Sequence, residues 1–196
     1  MSYWDKYRSD DPRRIPPLEA PLLDYVVVDT ETTGLNPEDG AKLIEIGAVK
    51  VKNGRIVDTY SQLINTQMIV PPHITQLTGI TTSDVSGKPT VKHAMKEFER
   101  WLGFETPFLA HNATFDLKFL DWATAETWPN RPLFDHPSLD TLEMIRALHP
   151  EIRHHKVADL IKRYHVADVE QHRALSDAMQ EQALYQIMCK EYFLGA

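Results

Sequence analysis

The sequence predicts an α/β fold, a mixed β-sheet covered by helices. Three apolar, strand-like runs come first, with turn residues between them, and later strand-like runs alternate with helical patterns. A chain opening with consecutive strands and continuing as alternating strands and helices builds this kind of layered sheet. Its 196 residues are enough for one domain with a full core and short for two.

The first strand is the β-branched run from Tyr25 to Val28, which ends at Asp29. The second and third runs, Leu43 to Val51 and Ile56 to Ile64, flank Lys52-Asn53-Gly54-Arg55. Asn and Gly both tolerate the positive φ of a type I′ turn, so these runs form a hairpin and the first three strands an antiparallel meander. After Pro71-Pro72 the pattern becomes helical, with Val91, Met95, Phe98 and Leu102 on one face of a helix that stops at Gly103. Phe108 to His111 reads as a fourth strand, and Phe115, Phe119 and Trp122 mark the packing stripe of the following helix. A loop from Trp128 to Pro137 leads into Ser138-Leu-Asp-Thr, the fifth strand. Helices follow at Leu142–Leu148, Val157–Tyr164 and Ala174–Phe193, the last with Leu175, Met179, Ala183 and Ile187 packing inward. In residues 1–22, Pro12, Pro16, Pro17 and Pro21 exclude regular helix or central strand over the second half. A loosely ordered N-terminal arm is expected there, leaving residues 23–196 as the functional domain.

Bulk composition excludes several classes of protein. No stretch approaches the ~18 apolar residues that span a bilayer, and the N-terminus has no signal-peptide run, so no membrane partner is expected. A single cysteine, Cys189, excludes an internal disulfide and a multi-thiolate zinc site and makes a reducing cytoplasm the default compartment. The net charge of −7 argues against coating duplex nucleic acid through a broad basic face, but is compatible with contact at a strand end.

Three short phrases carry chemistry: Asp29-Thr-Glu31, Asp116 in His-Asn-Ala-Thr-Phe-Asp, and His172 with Asp177 in His-Arg-Ala-Leu-Ser-Asp. Carboxylates converging within a few Å stay ionised only if cations neutralise them, and hard oxygen ligands suit Mg²⁺ or Mn²⁺. Two such ions, ~3.5–4 Å apart, activate a water and stabilise the leaving oxygen of a phosphate ester. Asp29 and Glu31 are two apart, so a strand persisting that far places both on one face. Asp116 falls near the start of a helix that follows a strand, where backbone N–H groups face a ligand. Asn112 is either the N-cap of that helix or a substrate contact, and His111 reads as a satisfied strand-end residue. His172 and Asp177 are five apart, about 140° out of phase on a helix. They converge only if His172 sits on the loop ahead of the helix, where an intrinsic pKa of ~6.5 suits proton transfer near neutrality. Thr32, Thr33 and Gly34 add hydroxyls, backbone donors and room for a phosphate or sugar.

Taken together the phrases resemble the DEDDh (epsilon-subunit-like) family of 3′–5′ exonucleases in order, spacing and flanking residues, over about residues 24–193. Leu77-Thr-Gly-Ile-Thr81 and Leu139-Asp-Thr-Leu142 are similar to family connectors. The resemblance implies a ribonuclease H-like five-stranded mixed sheet flanked by helices. It implies that Asp29, Glu31, Asp116 and Asp177 hold two Mg²⁺ or Mn²⁺ ions and that His172 is the general base. By this resemblance Thr32, Thr33 and Leu35 would touch the terminal nucleotide, with Leu35 a wedge against its base; Gly34 and Asn112, from their own placement, are further candidate substrate contacts. The expected reaction releases 5′-mononucleotides from the 3′ end of single-stranded DNA, in proofreading or repair; an exoribonuclease acting on RNA or short oligonucleotides is the alternative. A polymerase or other replication partner is compatible, although only about nineteen residues follow Asp177, which favours a stand-alone nuclease or one docking by its surface. A non-catalytic relative would be expected to lose one of the five groups, and all five are present. Thr78 stands where the epsilon subunit has a histidine, which puts any substrate contact there in doubt.

Overall fold

The computed structural model describes residues 11–16, 18–131 and 133–195. Five strands form one sheet: β1 (Tyr25–Thr32), β2 (Leu43–Lys52), β3 (Arg55–Leu63), β4 (Phe108–Ala110) and β5 (Ser138–Asp140). Their order is β3-β2-β1-β4-β5, with β1–β2 and β2–β3 antiparallel and β1–β4 and β4–β5 parallel. The hairpin turn forms as expected, Asn53 and Gly54 both adopting positive φ (49° and 70°) between the paired Lys52 and Arg55. The helices are α1 (Pro72–Thr78), α2 (Thr82–Val85), α3 (Val91–Leu102), α4 (Ala113–Thr127), α5 (Thr141–Leu148), α6 (Val157–Arg163) and α7 (Ala174–Leu194).

β1 is the central strand, and its alternation divides the core in two. Val26 and Val28 pack with Phe98 of α3 and Leu117 and Leu120 of α4. Tyr25 and Val27 pack on the other face with Ile145 of α5, Leu160 of α6 and Leu184 and Met188 of α7. Both faces of β1 are therefore dry, which explains a continuous apolar run ahead of Asp29. The strand persists to Thr32, past both acids.

Three expectations change. Phe119 is buried, but Trp122 is 45% exposed, because the residues of α4 buried in the core are Ala113, Leu117, Phe119, Leu120 and Ala123. In α7 the inward residues are Ala174, Asp177, Ala178, Glu181, Leu184, Tyr185 and Met188, while Met179 is exposed and Leu175, Ala183 and Ile187 are half-buried. The second half of the N-terminal arm is tied down: Arg13 forms ion pairs with Asp11 and Asp121, Arg14 with Glu143, and the backbone of Arg13 and Ile15 bonds to Ser138 at the edge of β5. Proline removes donors, but a single bridge on an edge strand needs few. Residues 1–10 lie outside the described part.

Candidate active site

Asp29 and Glu31 leave β1 on the face that α7 covers, one pleat apart, as their spacing requires. Across the β1–β2 ladder they pair with Gly47 and Glu45. Gly47 is what lets α7 descend: a Cβ there would lie 2.0 Å from the backbone N of Leu175 and 2.1 Å from the carbonyl carbon of Ala174. Glu45, fully buried, accepts hydrogen bonds from the Ala174 N–H (3.1 Å) and from Arg173 Nε and Nη2 (3.1 and 2.8 Å), which holds the helix start in place. The carboxylate thus caps a helix whose own N-cap residue, Arg173, offers no acceptor.

With α7 seated this low, Asp177 in its first turn meets the β1 acids. Asp29, Glu31 and Asp177 each present an oxygen, all within 4.8 Å of one another. His172 lies two residues before α7 with a left-handed backbone (φ 50°), and a ring nitrogen reaches within 4.8 Å of oxygens on Asp177 and Glu170. The left-handed residue removes the helical phase problem. The Gln171 N–H donates to Asp177 Oδ1 (3.2 Å), closing the loop onto the helix.

Asp116 approaches from the opposite side, on α4, where it is buried and accepts a 2.7 Å hydrogen bond from the Thr30 hydroxyl. The start of α4 is fixed by Asp140, whose two oxygens accept the N–H groups of Asn112 (2.9 Å) and Ala113 (3.1 Å); Oδ1 also accepts from Leu142, capping α5. Asn112 therefore occupies the N-cap position (φ 66°) without a side-chain cap bond, and its side chain is free of that role. His111 is half-buried, with Nε2 2.6 Å from the His155 carbonyl oxygen and Nδ1 3.2 Å from Thr141 Oγ1; desolvation pushes its pKa down to about 4, a satisfied neutral residue. Thr141 also donates to Glu181, a buried acid one turn beyond Asp177.

The electrostatics follow from burial and crowding. Burial, then the charges of Asp116, Glu31 and Asp177, push the Asp29 carboxyl well above its ordinary range. Burial followed by Asp177 and Glu45 pushes Glu31 up to about 8, and burial pushes Asp116 to about 7 against the opposing Thr30 hydrogen bond. Among the described residues no Lys or Arg forms an ion pair with any of these acids. Arg173, bound to Glu45, acts on Glu31 from a distance and His172 acts on Asp177, but crowded oxygen donors without a direct Lys or Arg ion pair remain the complement of a hard divalent cation.

The turn after β1 uses its own hydroxyls. Thr32 Oγ1 donates to the Gly34 carbonyl (2.7 Å), and Thr33 Oγ1 accepts from the Lys42 N–H (2.8 Å). Leu35 stands at the tip, 83% exposed. Thr78 is buried with its hydroxyl bonded to Ile74 and Ile80, so it serves the end of α1. Sequence reasoning missed Thr30, Glu45, Gly47, Asp140, Glu170 and Glu181. The Asp140 connector motif and the reciprocal placement of Glu45 and Glu31 were the available signals, but the partners lie too far apart in sequence to be paired by inspection.

The sheet order is that of the ribonuclease H-like exonuclease fold, and its acidic centre is a group of carboxylates that could hold a divalent metal ion. The chain belongs to the RNase T exonuclease family, whose model matches residues 26–185. It is 37% identical over 148 residues to the PolC-type DNA polymerase III of Halalkalibacterium halodurans, a match that covers 74% of this chain and 10% of that polymerase. The chain thus spans about a tenth of the length of such relatives. Among solved structures, exonuclease X in complex with 5′ overhanging duplex DNA has a TM-score of 0.66 and 26% identity, covering 86% of this chain and 92% of that one. E. coli exonuclease I in complex with a dA16 oligonucleotide shares the fold, with a TM-score of 0.71 and 16% identity over 87% of this chain and 41% of that one. No helix among the described residues is long and apolar enough to cross a membrane.

Proposed function

We propose that the domain at residues 23–196 is a 3′–5′ exonuclease that releases 5′-mononucleotides from single-stranded DNA ends. The observation that carries this reading is the meeting of Asp29, Glu31 and Asp177 oxygens within 4.8 Å, next to buried Asp116, on a family exonuclease fold. Asp29, Glu31, Asp116 and Asp177 would hold two ions, Mg²⁺ or Mn²⁺. Bound there, the cations would neutralise the carboxylates, acidify a water and offset charge on the departing 3′ oxygen. His172, on its loop beside Asp177 and Glu170, takes the proton of the attacking water as general base. The chain itself mainly positions groups: Glu45 and Gly47 set α7, Asp140 sets α4, and Thr30 aims Asp116. Leu35 would wedge against the terminal base, with Thr32, Thr33, Gly34 and Asn112 around the terminal nucleotide. A cytoplasmic location and a replication or repair role accord with the polymerase relatives.

The test is digestion of matched 5′-labelled oligonucleotides as single-stranded DNA, duplex DNA and RNA with Mg²⁺ or Mn²⁺. Single-stranded DNA should shorten from its 3′ end fastest. Unstacking a duplex end at about 1.4 kcal/mol per step slows the duplex. Faster RNA cleavage would reverse the substrate assignment, and cuts in a circular single strand would remove the exonuclease reading.

A further inference from the structure

A cavity of about 570 Å³ opens on the α4 side of the sheet. One wall is the segment from Ala41 to Leu43, whose Lys42 backbone exchanges hydrogen bonds with Thr33 just beyond the β1 acids. The opposite wall is α4, the helix that carries Asp116, through Phe119, Trp122 and Glu126. Both walls are thus continuations of the elements that build the acidic centre. Phe115 and Phe119, with ring centroids 5.2 Å apart, line up along α4 from beside Asp116 toward Trp122.

The lining combines a half-exposed indole with cations. Trp122 is 45% and Met68 50% exposed, while Lys42 and Lys92 flank the space, neither in an ion pair among the described residues. Asn65 and Thr66 add polar groups, and Glu126 is the one acid on the lining. In a chain of net charge −7, two lysines beside an open aromatic face mark a local reversal suited to an anionic, planar ligand. Aromatic faces for bases and cations for phosphates are how single strands are gripped without regard to sequence. The volume lies in the range of a small-ligand site, enough for one nucleotide.

We propose that this cavity is a strand-binding subsite, in which an upstream nucleotide of the single strand stacks its base on Trp122 and sets its phosphates against Lys42 and Lys92. The proposal rests on the exonuclease reading and adds a second grip away from the scissile bond.

Two readouts test it on the full chain: fluorescence anisotropy of a labelled dT12 in Ca²⁺, and the ratio of kcat/KM for dT12 to that for thymidine 5′-(p-nitrophenyl phosphate), a single-nucleoside substrate too short to reach the cavity. Trp122→Ala should weaken dT12 binding about 5- to 100-fold, the loss expected for one base–aromatic stack, and lower the ratio by the same factor. Trp122→Phe should restore most of both. Lys92→Gln should reduce the slope of log affinity against log salt by about 0.7, one single-strand phosphate contact. Unaltered affinity and salt slope in Trp122→Ala and Lys92→Gln overturn the subsite even while dT12 is digested. If Trp122→Ala does not fold, the Lys92→Gln slope decides alone. A wild-type protein that hydrolyses neither substrate sinks the exonuclease reading instead, and the anisotropy result still judges the cavity; no dT12 binding at all overturns it.

Discussion

Glu31 and Asp116 make the metal-free protein sensitive to alkali. Their folded pKa values, about 8 and about 7, lie above ordinary carboxyl values of ~4, so the native state keeps protons that the unfolded chain has lost. The stability these groups supply is full below about pH 4 and is lost as pH rises through 7 to 8. In EDTA the melting temperature should therefore fall from pH 6 to pH 8.5, Glu31→Gln and Asp116→Asn should each flatten that slope, and Mg²⁺ or Mn²⁺ should restore stability at pH 8.5 with release of protons. A slope unchanged from wild type in both variants would contradict the acidic-cluster account. The same four carboxylates predict that Asp29→Ala, Glu31→Ala, Asp116→Ala or Asp177→Ala each abolishes nearly all hydrolysis of single-stranded DNA in a folded domain, as read by product ladders and circular dichroism. His172→Ala should lower kcat by roughly 10²–10⁴-fold and leave divalent-ion binding by titration calorimetry intact. Asp29 and Glu31 were legible in the sequence because a two-residue spacing fixes a shared face wherever a strand persists. Asp140 was not: its role as a double cap depends on amide groups 28 residues upstream as well as on its own helix.

At the scale of elements, α7 and α4 show what periodicity reports. Phe115, Phe119 and Trp122 do share one side of α4, as their spacing requires, but that side meets the cavity wall as well as the core. Spacing tells which residues share a face and leaves open what the face meets. In α7 the inward face carries Asp177 and Glu181, so the buried residues include the polar ones and the apolar stripe taken from Leu175 and Met179 is out of phase by about one residue. Function here overrides the pattern that usually marks burial. The element most exposed to a small change is the α7–β2 contact. Gly47→Ala adds a Cβ about 2 Å from helix backbone, which cannot relax like a side chain tip, so α7 must lift. Activity should drop by more than tenfold together with a lower melting temperature, whereas Gly40→Ala, where nothing lies within 4 Å, tests backbone strain alone at φ 88° and should spare catalysis.

Over the whole molecule, the first three strands and their hairpin follow from local signals, while the closing of the sheet on its other side does not. The described half of the N-terminal arm is part of that closing: Arg13, with its side chain 8% exposed, joins Asp11 and Asp121 and also donates to the Phe134 carbonyl, fastening the β5 edge to α4. The pairs are partly solvated, so Arg13→Ala should cost about 1–3 kcal/mol in urea unfolding, less than a fully buried pair, with hydrolysis retained below the transition. Proline counts suggested a loose arm because they register missing donors, and two arginines pairing with acids over 100 residues away leave no local trace. The position of α7 against β1 and β2 has one more consequence, for the order of events during synthesis. Asp29 and Glu31 emerge from the ribosome with a hairpin that can pair at once, yet the acid and histidine that complete their site arrive some 140 residues later, on a loop and helix seated by Glu45 and Gly47. At the typical ~5–20 residues per second this is an interval of seconds, during which the acidic centre of the nascent chain stays incomplete.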